Sequence, residues 1–141
     1  MFHYLARAVI VQDDSVLLVR EKGATEYFLP GGHIEFNEPA KMALKRELQE
    51  ETSLDIQVGR FYGSIENHWL HKGEQQQEIN LVFEAHFCEG FQSVVNSCEP
   101  HLDFLWVEIS QLTSVTLHPA SVSELIHNRD SITSFWGSGY A

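Results

Sequence analysis

Three carboxylates in the segment 46–51 are the side chains of this sequence best suited to chemistry. Glu47, Glu50 and Glu51 are spaced at i, i+3 and i+4, and at about 100° per residue this spacing places them on one face of a helix. Like charges at such positions repel each other unless a cation lies between them. Hard divalent cations such as magnesium take oxygen ligands. The spacing therefore predicts a helix whose acidic face binds a divalent metal.

The elements around these carboxylates can be predicted from local signals. The helix is expected to begin near 37–39, where Asn37 or Glu38 can cap it and Pro39 suits the first turn, and to end near 52–53. The preceding Pro30-Gly31-Gly32 predicts a tight loop, because glycine pairs allow unusual backbone angles and a close approach. Its backbone can offer a carbonyl oxygen, so Gly32 is a candidate metal ligand.

The rest of the chain alternates strand-like and polar segments. A second helix is predicted after Pro119, over 121–128. Residues 70–77 are polar and predict a mobile hairpin loop, and 89–101 are expected to be irregular. The predicted strands lie at 5–11, 16–20, 27–29, 57–69, 78–88 and 104–107. This order predicts a mixed α/β (α+β) fold.

Composition limits the possible classes of protein. With 141 residues, the chain suits a single domain over 1–141, with a core over about 5–130 and a tail over 131–141. The aromatic residues of that tail are expected to pack on the domain or on a partner subunit. A net charge of −11 opposes binding to nucleic acid or anionic membranes. No signal peptide or membrane span is indicated, so a cytoplasmic location is expected.

The spacing around the carboxylates extends further back along the chain. From Gly32, Glu38 follows after five residues and Arg46 after seven more, and the sequence continues Glu-Leu-x-Glu-Glu-x-Ser-Leu. This pattern resembles the Nudix box of the Nudix hydrolases, with Ser53 where the family has glycine. A residue with a Cβ in a left-handed helix C-cap costs about 1 kcal/mol, so we expect Ser53 to be tolerated. The resemblance covers about residues 5–130 and implies a mixed β-sheet sandwiched between α-helices.

The resemblance also implies an activity. Members of the family hydrolyse a diphosphate that links a nucleoside to another moiety, so a small nucleotide such as a nucleoside triphosphate, ADP-ribose or a nucleotide sugar is the expected substrate. Glu47, Glu50 and Glu51 would bind Mg²⁺, with Mn²⁺ as a possible substitute, and Glu47 or Glu51 would act on the attacking water. Arg46 would hold a box glutamate in place, and Glu38 would brace the loop before the helix, with Gly31 in a structural role.

Residues outside the box complete the list of candidates. Many relatives recruit a further carboxylate, for which Glu99 is our first candidate and Glu78 and Glu66 are alternatives. Arg20 is a candidate for binding substrate phosphate. Other candidates for substrate contact are Lys22 and Lys72 for phosphate, and Tyr27, Phe28 and Trp69 for stacking on a base.

Two other functions stay open at this point. A Nudix-like domain could bind a nucleotide as a sensor without cleaving it. An acidic interaction domain could have no metal site at all. A homodimer is also possible, since it is common among relatives.

Overall fold

A computed structural model describes residues 1–131 and 134–140. Within these residues the chain forms nine β-strands, two α-helices and one 3-10 helix. In chain order the elements are β1 Phe2–Gln12, β2 Ser15–Glu21, β3 Glu26–Tyr27, β4 Gly31–His33, α1 Ala40–Thr52, β5 Ile56–His71, β6 Glu74–Phe87, β7 Leu102–Glu108, the 3-10 helix Ile109–Ser114, β8 Thr116–Leu117, α2 Val122–Asn128 and β9 Phe135–Ser138.

A seven-stranded mixed sheet organises the domain. Its order is β7-β2-β1-β6-β5-β9, and β4 pairs with β1 beside β2. The central strand β1 is parallel to β6 and antiparallel to β2 and β4. Each half of β1 therefore has a different neighbour on one side, Val11 and Gln12 facing β2 and the 5–7 segment facing β4. This arrangement brings the glycine loop against the middle of the sheet.

Apolar side chains bury both faces of this sheet, one against each helix. On one face, Leu44 and Leu48 of α1 pack in a core with Ile10 and Phe83. On the other, Leu125 and Ile126 of α2 belong to a second core with residues from β1, β2 and β6. These two layers confirm the predicted sheet sandwiched between helices. Among the described residues, no helix is both long and apolar enough to span a membrane.

The predicted mobile loop at 70–77 is wrong. Strands β5 and β6 continue through this segment and pair up to His71 and Glu74, leaving only Lys72 and Gly73 as the turn. Both turn residues have positive φ, 51° and 79°, which is the geometry that tight two-residue hairpins favour. The polar glutamines are therefore strand residues of a long hairpin.

The tail adds an edge strand to the sheet. Strand β9 pairs in parallel with β5, with Phe135 opposite Gly63 and Ser138 opposite Glu66. A Cβ at Gly63 would overlap the Phe135 backbone, so the pairing requires glycine there. The Tyr140 ring stacks on His68 with centroids 4.0 Å apart. The described part of the tail thus packs on the domain itself, while residues 132, 133 and 141 of the predicted tail lie outside the described residues.

Candidate active site

Helix α1 carries the predicted carboxylates and ends as the sequence predicts. Ser53 is its C-cap, in the left-handed conformation with φ 61° and ψ 16°, and its N–H donates to the Gln49 carbonyl. The Ser53 hydroxyl lies 3.1 Å from the Cys98 sulfur. The Cys98 N–H donates to the carbonyl of Glu51 at 2.6 Å. The irregular segment next to Glu99 is therefore tied to the acidic end of the helix.

Arg46 organises the carboxylates before and within α1. Its Nε and Nη2 donate to the two oxygens of Glu38 at 2.7 and 2.9 Å, and Nη1 donates to Glu47 at 3.0 Å and to Glu50 at 3.4 Å. Nη2 also donates to the His33 carbonyl at 3.0 Å. These bonds lower the pKa of Glu38 to about 2, and they raise the pKa of Arg46. The guanidinium thus links the loop before the helix to two of the predicted metal ligands.

Glu51 has a different environment from the other two carboxylates. Its side chain is 8% exposed, and Oε1 is buried without a hydrogen-bond partner. Burial raises the pKa of Glu51 to about 8, with the negative charges of Glu47, Glu99 and Glu50 adding to the rise and the charge of Arg7 opposing it. A buried carboxylate that lacks a donor is costly. A positive charge beside Glu51 would therefore stabilise its ionised carboxylate.

The two glycines before the helix lie in β4, so the predicted tight loop is a short strand at this point. A Cβ at Gly31, whose φ is 137°, would overlap the carbonyl oxygen of Ala6 in β1. A Cβ at Gly32 would lie 2.5 Å from the carboxyl group of Glu47. Glycine is required at position 31, where the clash is with backbone, whereas a side chain at position 32 would displace the Glu47 carboxylate. This close approach places the Gly32 backbone beside the acidic face of α1.

The carboxylates of α1 are oxygen ligands of the kind that a divalent cation takes. Within residues 1–131 and 134–140, no three His, Cys, Asp or Glu side chains are grouped in positions that would hold a metal. Two of the three predicted ligands, Glu47 and Glu50, are instead paired with Arg46. The unpartnered Oε1 of Glu51 and the nearby charge of Glu47 nevertheless form the kind of oxygen-rich, electron-rich environment that a hard cation prefers.

Arg7 of β1 is a site residue that sequence reasoning missed. Its Nε donates to Asn80 Oδ1 at 3.3 Å and Nη1 donates to the Leu29 carbonyl at 3.2 Å, and the guanidinium lies 5.5 Å from the centre of the Phe28 ring. Burial lowers the pKa of Arg7, and the charges of Glu78, Glu51 and Glu47 oppose that effect. The sequence signal that could have identified Arg7 is its position as a charged residue within the apolar run 5–11.

An open cleft of about 250 Å³ lies beside Arg7. Trp69 and Phe28, both predicted to contact substrate, line this cleft. Among the described residues that line the cleft, Arg7 is the only lysine or arginine. The cleft is formed by His3, Leu5, Arg7, Phe28, His33, Trp69, Glu78, Asn80 and His118. Since the charge of Arg7 is felt by both Glu78 and the carboxylates of α1, the cleft adjoins the acidic face of the helix.

The structure places the other candidates at different points. Glu99 is close enough for its charge to raise the pKa of Glu51. Arg20 lies 3.7 Å from Asp103 and donates to the Tyr27 hydroxyl at 3.2 Å, and it does not line the cleft. Glu66 accepts from the Ser138 hydroxyl at 2.7 Å, at the edge formed with β9.

A larger depression elsewhere on the surface contains none of the predicted site residues. It has a volume of about 600 Å³ and is lined by Asp13, Asp14, Glu108, Ile109, Ser110, His127 and Arg129. We take the smaller cleft as the candidate active site, because Arg7 lines it and lies close enough to Glu51 and Glu47 of α1 for their charges to act on it.

Comparisons with known proteins identify the family and the fold. A family model described as the NUDIX domain matches residues 1–128. A MutT protein from Methanosarcina mazei Go1 is 23% identical, with a TM-score of 0.70 and 92% of this chain and 93% of that chain covered. An ADP-ribose pyrophosphatase from Streptococcus suis is 19% identical, with a TM-score of 0.63 and 96% of each chain covered. A UDP-X diphosphatase is 25% identical, with a TM-score of 0.62 over 90% of this chain and 60% of that chain.

The TM-scores show that these solved structures share the mixed α+β fold of this chain. The family match covers most of the sequence, and the chain belongs to the Nudix hydrolase family. It is an enzyme that hydrolyses acid anhydrides in phosphorus-containing compounds. Enzymes of this family generally depend on a divalent metal.

Proposed function

We propose that this protein is a Mg²⁺-dependent hydrolase of a nucleoside diphosphate linked to another moiety. The environment of Glu51 is the observation that carries the proposal. Its carboxylate is buried without a donor, and the nearby Glu47 raises its pKa further. A fold gains nothing in stability from this arrangement, whereas a metal-dependent phosphate hydrolase needs it.

Glu47, Glu50 and Glu51 would hold the metal, with the Gly32 carbonyl as a further oxygen ligand. The ion would supply charge neutralisation at the phosphate oxygens and a more acidic bound water. Arg46 positions these ligands, because its fork fixes Glu38 on one side and Glu47 on the other. Mn²⁺, which takes the same oxygen ligands, is expected to substitute for Mg²⁺.

In the proposed reaction the oxygen of a water molecule bonds to one phosphorus of the diphosphate. The bond from that phosphorus to the bridging oxygen breaks, and the electron pair leaves with the second phosphate. A carboxylate accepts the proton of the water. Glu51 is favoured over Glu47 for this step, because Arg46 donates to Glu47 while Glu51 Oε1 has no donor.

Arg7 would bind the phosphate chain between the helix and the cleft. Its guanidinium is the cationic group of the described cleft lining, and guanidinium groups pair well with phosphate oxygens. Glu99 would add a further negative charge near Glu51 when the metal binds. The names of two structural neighbours, an ADP-ribose pyrophosphatase and a UDP-X diphosphatase, support a nucleotide-linked diphosphate as the substrate.

A hydrolysis screen tests this proposal. Nucleoside triphosphates, ADP-ribose and nucleotide sugars are each incubated with the protein and Mg²⁺, and the products are separated and identified. We expect cleavage of at least one diphosphate, loss of that activity with a chelator, and a drop of at least about 100-fold in kcat for Glu51→Gln. The matched control is Glu124→Gln in α2, on the opposite face of the sheet. Tight binding of a nucleotide without turnover of any compound would instead support a sensor domain.

A further inference from the structure

Glu78 is a second buried carboxylate without a hydrogen bond, and the proposed reaction does not use it. It lies in β6 and is 4% exposed. Its Oε2 is buried with no hydrogen-bond partner, and the nearest basic atom is His118 Nε2 at 3.6 Å. Arg7 influences Glu78 through its charge, but its hydrogen bonds go to Asn80 and the Leu29 carbonyl.

This carboxylate lines the cleft beside groups whose hydrogen bonds are already made. Asn80 accepts from Arg7 through Oδ1 and donates through Nδ2 to the Ile65 carbonyl at 3.2 Å. His3 lies 2.7 Å from Gln76 Oε1. Glu78 is therefore the acceptor in the described cleft lining that most needs a donor.

Aromatic side chains that contact each other line the cleft. The Trp69 and His3 rings stack with centroids 5.7 Å apart and planes 16° apart. The His118 ring meets Trp69 edge-on at 4.9 Å. Phe28 also lines the cleft, with the Arg7 guanidinium 5.5 Å from its ring centre. A flat heterocycle is the chemical group that such walls favour, because stacking on aromatic side chains is worth about 1–3 kcal/mol per base.

We propose that this cleft binds the base of the substrate nucleotide, and that Glu78 selects a base with an exocyclic amino group. The inference rests on the proposed function, since it places the phosphates at Arg7 and the helix carboxylates. An amino group of cytosine, adenine or guanine would donate to Glu78 and supply its missing hydrogen bond. A carbonyl oxygen at the same point would face the carboxylate and leave both acceptors unpaired, which sites of this kind discriminate against strongly.

Matched nucleotide pairs test the selection. CTP with UTP, and ATP and GTP each with ITP, differ at the position of an amino group. In the presence of Mg²⁺ we expect kcat/KM to favour the amino-bearing member of at least one pair by about tenfold or more. Glu78→Gln offers a donor as well as an acceptor, so that ratio should fall to within about threefold of unity. Glu84→Gln is the control, because Glu84 lies on the same strand but accepts from the Tyr62 hydroxyl at 3.2 Å and does not line the cleft.

The two proposals can fail separately. Hydrolysis of these nucleotides with ratios near unity in every pair, or with a preference that Glu78→Gln leaves unchanged, would overturn the role of Glu78 while sparing the proposed activity. If nothing is hydrolysed, calorimetric binding of the same pairs measures the selection directly. A preference in binding then supports the inference, and equal or undetectable binding overturns it. If Glu78→Gln does not fold, Glu78→Asp replaces it: the shorter side chain withdraws the carboxylate, so the preference should fall, and an unchanged preference overturns the role of Glu78.

Discussion

Replacing Glu51 by glutamine should stabilise the metal-free protein while abolishing its activity. The fold raises the pKa of Glu51 from 4.5 to about 8, mainly through burial. At about pH 7.5 the unfolded carboxyl is ionised and the folded one resists ionisation, which costs the folded state about 4 kcal/mol at 1.36 kcal/mol per pKa unit. Glutamine removes this cost but leaves a buried amide without a partner, a penalty of about 1–3 kcal/mol. We therefore expect a net gain of about 1–3 kcal/mol in the free energy of unfolding.

The pH dependence has a definite sign. Because the pKa is raised on folding, the contribution of Glu51 to stability is fully present below about pH 4.5 and is lost as the pH rises to about 8. Across this window the metal-free wild-type protein should lose up to about 1.4 kcal/mol per pH unit from this group. The Glu51→Gln protein lacks that loss, so the two curves should diverge as the pH increases.

Urea unfolding between about pH 5 and 8, with a chelator or with Mg²⁺, measures both effects. At about 100 times its Kd, Mg²⁺ should stabilise the wild-type protein by about 2.7 kcal/mol and the Glu51→Gln protein by much less. Glu124→Gln is the control, since that side chain is exposed on α2 and belongs to neither the proposed metal site nor the cleft. A chelated Glu51→Gln protein that is no more stable than the wild type at about pH 8 would refute this account of the site.

Three further substitutions test other contacts. In Arg46→Lys the single ammonium group cannot donate to Glu38 and Glu47 together, so kcat should fall by about tenfold or more. Far-UV circular dichroism should change little, and an unchanged kcat would contradict the positioning role of Arg46. Ser53→Gly should raise the free energy of unfolding by about 0.5–1 kcal/mol, because it relieves a left-handed Cβ residue, and thermal melts should show this without a change in kcat. Gly31→Ala should lower it by more than about 2 kcal/mol, since the added carbon overlaps the β1 backbone, and a neutral result in urea unfolding would show that β4 can shift.

The local parts of the site could be predicted because their signals are local. Helix α1 occupies Ala40–Thr52, within the predicted limits, since a proline, a periodic apolar face and a left-handed C-cap act over a few residues. The predicted cap differs in detail: Pro39 occupies the N-cap position, without a side-chain hydrogen bond. Asn37 has a φ of 64° and lies in the turn before it.

The cleft could not be predicted from the sequence, because it depends on strand register. Arg7 lies opposite Val82 in the parallel pairing of β1 with β6, and Leu5 lies opposite Asn80. These partners are separated by 75 positions of sequence in each case, and a shift by one residue would turn Arg7 to the other face of the sheet. Glu78 was a candidate on charge alone, and only the fold gives it a buried position in the cleft.

Polar composition misled the prediction of the hairpin for a physical reason. Gln76 is 7% exposed and Glu78 is 4% exposed, so the face of β6 that enters the cleft is polar where a strand usually shows apolar alternation. The glutamines resemble a loop in sequence because this buried face carries polar side chains. The same feature that hid the strand therefore marks the cleft.

Arg7 connects the two parts of the site electrostatically. Its charge acts on Glu78 in the cleft and on Glu47 and Glu51 of the helix, so one guanidinium offsets three carboxylates. A phosphate that binds Arg7 withdraws this compensation from Glu51 and increases the need for a cation there. A cation at Glu51 in turn frees Arg7 to pair with phosphate. We therefore expect cation and phosphate to bind in a mutually favourable way, and by linkage each would raise the affinity for the other by the same factor.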